Sequence, residues 1–141
     1  MPSIIVDTSV ATKWFSDEGE EDYQKARRIV TLVAREEIHL VCPRIIFFEL
    51  ANGLKLGKHH DRESLFKSIQ SLQALTGEIV DEIEYERVIH LMYTYDLASY
   101  DAVFIALSEV RKAPLITADY SHHKKSISPH IIWLCQWKGK F

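Results

Sequence analysis

The chain has 141 residues, 47% of them hydrophobic and 26% charged, with 17 Lys and Arg against 20 Asp and Glu. A length of this order suits one domain, residues 1–141, burying about two-thirds of its unfolded surface without covalent staples. The net charge of −3 excludes the overall basic field that declares a nucleic-acid binder, while leaving room for a local basic rim beside an acidic pocket.

Residues 4–6, Ile4-Ile5-Val6, form an apolar run too brief for a helix and suited to a buried strand. The run ends on Asp7, Thr8 and Ser9. Residues 9–15 read as a short helical or turn-like piece with Val10, Trp14 and Phe15 inward, followed by a break at Ser16-Asp17-Glu18-Gly19. Over residues 20–35, Tyr23, Ala26, Ile29, Val30, Val33 and Ala34 recur at spacings of three and four, the pattern of an amphipathic helix. Glu20, Glu21 and Asp22 are expected in its first turn, where the helix dipole favours acids.

Residues 38–42 read as a second strand stopped by Pro43, and residues 44–56 as a largely apolar helix ended by Gly57. Asp61 is placed to cap a helix over 62–75, with Leu65, Phe66, Ile69, Leu72 and Leu75 as its buried stripe. A third short strand is expected over 78–81 and a helix over 82–95, with Ile83, Val88, Leu91 and Met92 inward. Ser99 suits the N-cap of a helix reaching Lys112, with Ala102, Val103, Ile105, Ala106 and Val110 for packing. Residues 115–117 read as a fourth strand with Asp119 at its end, 120–128 as loop plus a short helical turn, and 131–134 as a fifth strand. Strands and helices alternate throughout, so the expected class is α/β, a three-layer α/β/α sandwich on a mainly parallel five-stranded sheet. Cys42 and Cys135 each follow an apolar run and read as core or near-core thiols in a reducing compartment. With no signal peptide and no stretch of eighteen apolar residues, a cytoplasmic protein without a membrane role is expected.

Four carboxylates stand out. Asp7 and Asp119 each end an apolar strand, on the edge of a parallel sheet where ligands bind. Glu49 interrupts Ile46-Phe47-Phe48-Glu49-Leu50-Ala51, and Asp101 lies in the first turn of a helix that continues Ala102-Val103-Phe104-Ile105-Ala106. Each has a bland explanation: a turn, a cap, or a solvent-facing stripe. Converging, they would repel one another, and a hard divalent cation such as Mg²⁺ or Mn²⁺ relieves that repulsion. The matching chemistry is phosphodiester hydrolysis, with water activated and phosphoryl charge neutralised by the ion.

At these residues the chain resembles the PIN domain family, in particular its VapC toxin branch. The matching pieces are Ile5-Val6-Asp7-Thr8-Ser9 through Lys13-Trp14-Phe15, Pro43 to Asn52 with Glu49, Ser99 to Leu107 with Asp101, and Pro114-Leu115-Ile116-Thr117-Ala118-Asp119. The resemblance implies an acidic metal site formed by Asp7, Glu49, Asp101 and Asp119, with Asp119 the weaker ligand, and Mg²⁺- or Mn²⁺-dependent endoribonuclease activity. It also implies an RNA substrate, a homodimer, and a cognate antitoxin, as in a type II toxin–antitoxin pair. A housekeeping PIN nuclease that processes RNA without an antitoxin is the alternative. Some relatives carry a further acidic or polar residue a few positions on, where this chain has Ser121, His122 and His123.

A phosphoacceptor signalling domain fits poorly, since one Asp rather than a pair follows the first strand and Lys138 lies on the tail. Lys13, Arg44, Lys112, Lys124 and Lys125 are candidate phosphate contacts, and Tyr100 or Tyr120 candidate stacking platforms, against the plainer reading as surface residues. Thr8 and Ser9 suit a water at the metal, Asp7 itself, or a simple cap. His122 and His123, like His59 and His60 in an earlier loop, offer a transition-metal site of histidine type, but adjacent histidines rarely point the same way and the expected metal is hard, so they are read as phosphate contacts or as residues without a role at the site. Of the adjacent Phe47 and Phe48, one is expected to face a dimer seam or an antitoxin groove, or else to lie under the next helix.

Overall fold

The computed structural model describes residues 1–16, 19 and 21–141. Among the described residues, strands and helices follow one another as β1 (Ser3–Val6), α1 (Thr8–Trp14), α2 (Tyr23–Ala34), β2 (His39–Pro43) and α3 (Ile45–Asn52). Then come α4 (Arg62–Leu75), β3 (Glu78–Val80), α5 (Tyr85–Tyr95), α6 (Ser99–Arg111), β4 (Leu115–Thr117) and β5 (Ile131–Trp133). The five strands form one sheet in the order β3-β2-β1-β4-β5, with every neighbouring pair parallel.

β1 lies at the centre because it is apolar on both faces. Ile4, Ile5 and Val6 are fully buried, as a strand covered by helices on either side must be. On one side α6 packs on β1, β2 and β4, with α5 against α6. α1, α2, α3 and α4 pack on one another in the second helical layer. The sheet register pairs Val6 with Ile116, so one step beyond it Asp7 and Thr117 stand side by side. The chain leaves β1 for β2 on one side and reaches β4 on the other, which makes the C-terminal end of β1 the switch point where open α/β sheets bind ligands.

Local chemistry sets most element ends. Asp61 accepts from the Ser64 amide at 2.8 Å and caps α4. α5 and α6 close on Asp96 and Lys112 in the left-handed conformation. α3 does not stop at Asn52 but runs on through a π-helical turn, Gly53–Gly57, so the expected end at Gly57 holds with a change of winding. A Cβ at Gly77 would come within 2.4 Å of the His39 ring, so a larger residue there requires that ring to move.

Several expectations need correction. α2 begins at Tyr23, after a left-handed Asp22, so Glu21 and Asp22 precede the helix rather than occupy its first turn. Asp17 and Glu18 of the expected break, and Glu20 of the expected first turn, lie outside the described residues. Leu32 is buried on α2 whereas Ala34 is exposed. On α4 the stripe is thinner than its spacing implies: Leu72 and Ser68 are buried, Leu65, Ile69 and Leu75 are partly covered, and Phe66 faces solvent. Ser99 is the first residue of α6, with Ala98 in the capping position, and Val110 is exposed. Residues 120–128 form turns without a helix, and β5 gives way at Leu134 to a 3-10 turn. Cys42 is buried as expected, but Cys135 is exposed. Among the described residues no helix is long and apolar enough to cross a membrane.

Phe47 and Phe48 do point apart, at 8% and 66% exposure. Phe47→Ala is therefore expected to cost about 3–5 kcal/mol. Phe48→Ala should change stability by about 0.5 kcal/mol or less. Urea unfolding of both variants checks the assignment, and equal losses would contradict it.

Candidate functional site

Asp7 is the first residue past β1 and the N-cap of α1, accepting from the Val10 amide. It is only 3% exposed, a burial that a carboxylate tolerates only when hydrogen-bonded throughout. Ser9 Oγ donates to Oδ1, and Thr117 Oγ1 donates to Oδ2. His123 Nδ1 lies 2.7 Å from the same Oδ2. Ser9 and Thr117 also receive the amides of Ala118 and Asp119, at 2.9 and 3.0 Å, which stitches the end of β4 to the end of β1.

His123 is the residue that sequence reasoning undervalued. It is 1% exposed, and its Nε2 lies 3.0 Å from the backbone carbonyl of Asp101. Burial alone would push the ring down, but the hydrogen bond and charge of Asp7 prevail and raise its pKa to about 9. Two acceptors facing the two ring nitrogens favour the doubly protonated ring. His123 thus ties the β1 carboxylate to the first turn of α6. Thr117, buried at the end of β4, was legible only as a strand residue. The available signal was a hydroxyl where a continuous apolar run should end, with a histidine six residues on.

Glu49 sits at the margin of the apolar face of α3, beside buried Ile46, Phe47 and Leu50. Thr8 Oγ1 donates to Glu49 Oε1 at 2.9 Å, so α1 holds it toward Asp7. Burial raises the Glu49 pKa, and the charges of Asp101 and Asp7 raise it further against the Thr8 hydrogen bond. Asp101 is likewise pushed up, first by burial and then by Asp119 and Asp7 against the two histidines. Burial also presses Asp119 upward, but the His122 amide and ring and the Ser121 hydroxyl hold it below the usual carboxylate range. His122 Nδ1 stands 3.0 Å from Asp119 Oδ2.

The four carboxylates singled out in the sequence lie within electrostatic reach of one another, but among the described residues Asp7 and Glu49 fall outside the group whose ligand atoms come close enough to share an ion. Asp101, Asp119 and His122 each offer a ligand atom within 4.8 Å of one another. This donor set fits a divalent cation: oxygen-rich, partly desolvated, and mutually repelled until positive charge arrives.

The other candidates divide. Arg44 is engaged with Asp81, Lys13 donates to the Glu21 carbonyl, and Lys125 to Gln136 while lying over the Trp133 ring. Tyr120 packs on Trp133, and its hydroxyl accepts from the Cys135 amide, so it belongs to the loop's own packing. Tyr100, one residue before Asp101, is exposed. Lys124 and His122 line an open depression of about 350 Å³ beside the site.

A model of the PIN domain family matches residues 4–127. Ribonuclease VapC9 of Mycobacterium tuberculosis is 29% identical over 120 residues, covering 82% of this chain and 85% of its own. Among solved structures, PAE2754 from Pyrobaculum aerophilum superposes with a TM-score of 0.70 at 15% identity, over 94% of this chain and 84% of that one. A toxin–antitoxin complex from Klebsiella pneumoniae gives 0.63 at 21% identity, over 92% and 95%. At these identities the structural likenesses show the fold.

Ionisation of Glu49 opposes folding, because its pKa is raised. That penalty is absent at low pH, where the group is protonated folded or unfolded, and enters as pH rises through its folded pKa. Glu49→Gln is expected to raise the melting temperature of the metal-free protein at about pH 7 and to leave it unchanged at about pH 3. Removing His123 breaks a buried pair. His123→Ala should cost about 3–5 kcal/mol in urea unfolding.

Proposed function

The chain belongs to the PIN domain family, and on that premise we propose that it is a metal-dependent endoribonuclease, the toxin of a type II toxin–antitoxin pair. The observation that carries the reading is the set of acidic groups within electrostatic reach at one sheet edge: burial and then the charges of Asp101 and Asp7 raise Glu49, and burial and then the charges of Asp119 and Asp7 raise Asp101. The mycobacterial relative named a ribonuclease supports the substrate class.

In this reading the four carboxylates hold Mg²⁺ or Mn²⁺. Bound there, the ion supplies Lewis acidity, acidifying water and neutralising charge on the phosphoryl oxygens. The chain's own residues do the positioning. Ser9, Thr117 and His123 fix the Asp7 carboxylate in one orientation, and Thr8 turns Glu49 toward it. Lys124, at the mouth of the adjoining depression, is placed to take an RNA phosphate.

The partners proposed are a cognate antitoxin and a second copy of the chain, in the cytoplasm. Exposed Phe48 on α3 and an apolar groove of about 630 Å³ lined by Ala51, Leu65, Phe66 and Ile69 support a protein partner. The toxin–antitoxin complex among the structural neighbours agrees with that partner.

Asp7→Asn tests the assignment: Asn keeps the cap of α1, but losing the charge that faces His123 is expected to lower the melting temperature, so circular dichroism at the assay temperature establishes that the variant is folded. Cleavage of RNA in Mg²⁺ or Mn²⁺ by the folded variant is expected to fall about 100-fold or more. Equal cleavage by both purified proteins would end the active-site assignment, and cleavage surviving exhaustive chelation would end the metal reading.

A further inference from the structure

We infer that His122 is a nitrogen donor to the ion, so that the site is a carboxylate–imidazole centre selecting first-row transition ions such as Co²⁺ over Mg²⁺. The inference rests on the metal-nuclease reading above and concerns which ion that site takes.

His122 and His123 are adjacent yet serve opposite sides of the cleft. His123 is sealed in the core against Asp7, whereas His122 turns outward to the Asp119 carboxylate. Among the described residues, Asp101, Asp119 and His122 are the histidine, cysteine and acidic side chains whose ligand atoms come within 4.8 Å of one another. Two independent elements supply them: the first turn of α6 and the turn after β4.

The contact distances suit shared ligation. Cis ligands about 2.1 Å from a six-coordinate ion stand about 3.0 Å apart. His122 Nδ1 lies 3.0 and 3.2 Å from the two Asp119 oxygens. Without an ion these are hydrogen bonds from the ring to Asp119, and ligation exchanges the ring proton for the ion with a tilt of the ring. The turn is also set in advance: the His122 amide donates to Asp119 Oδ1 at 3.2 Å and Ser121 Oγ at 3.0 Å. The ring and the carboxylate are therefore held side by side, within reach of one ion once the ring proton has left.

Ligand chemistry gives the selectivity. Mg²⁺ prefers oxygen and gives up water reluctantly, so an imidazole contributes little to its binding. Later first-row ions accept imidazole readily, with affinity rising from Mn²⁺ through Co²⁺ to Ni²⁺.

Isothermal titration calorimetry of the full chain with Co²⁺ and with Mg²⁺, without RNA, tests this. Wild type should bind Co²⁺ at least about tenfold more tightly than Mg²⁺. His122→Ala should weaken Co²⁺ about tenfold or more while moving Mg²⁺ less than about twofold. His122→Asp, which supplies an oxygen donor in place of the imidazole, should bind Mg²⁺ at least as tightly as wild type and lose the Co²⁺ preference. In electron spin-echo spectra of the Mn²⁺-loaded protein, modulation from a directly bound ¹⁴N should be present in wild type and absent in His122→Ala. Modulation that persists in the alanine variant, or equal weakening of both ions, would overturn the role of His122 and leave the nuclease reading intact. Wild-type protein that binds no divalent ion would overturn both. His122 is exposed, so the variants should fold, and matching circular dichroism establishes that they do.

Discussion

Like charges held face to face in a half-dry cleft are the constraint on which this structure turns. Burial raises Glu49 and Asp101, and neighbouring carboxylates raise them further. Left alone, such a cluster would splay apart. It is held by donors that belong to other elements: the Thr8 hydroxyl on Glu49, the Ser9 and Thr117 hydroxyls on Asp7, and the His123 ring between Asp7 and α6. The cost of crowding is met by the rigidity of a parallel sheet and by hydrogen bonds, so positive charge can bind without first gathering its ligands. The same economy appears at Asp7, one carboxylate that caps a helix and lines a cleft.

Much of this was legible in the sequence because strand ends carry their own punctuation. An apolar run halted by an acid marked Asp7 and Asp119, and an acid inside a greasy helix marked Glu49. The sheet class followed from alternation, and its parallel order places the expected edge residues together. Helix faces were harder to read. Phe66 and Val110 fit the apolar spacing of their helices yet remain exposed, because periodicity reports a stripe and not what covers it.

His123 shows the other limit. Nothing local distinguishes it from His122, since two adjacent histidines in a polar loop carry no periodicity. Only the docking of residues 119–123 against β1 decides that one ring is sealed beside Asp7 and the other faces Asp119. Thr117 is similar: its hydroxyl gains meaning from the strand beside it, which lies 110 residues away in sequence. Long-range partners of this kind are invisible to pattern and spacing alone.

The central position of β1 has a consequence for biosynthesis. Its flanking strand β4 and the ring that secures Asp7 come from residues 115–123, near the far end of the chain. A nascent chain still lacking them has an unpaired β1 edge and an unclamped Asp7, whatever its earlier helices have done. Non-local strand pairing of this order is slow, because the loop must close before the contact is made. The cleft is thereby left unassembled until residue 123 has joined the chain.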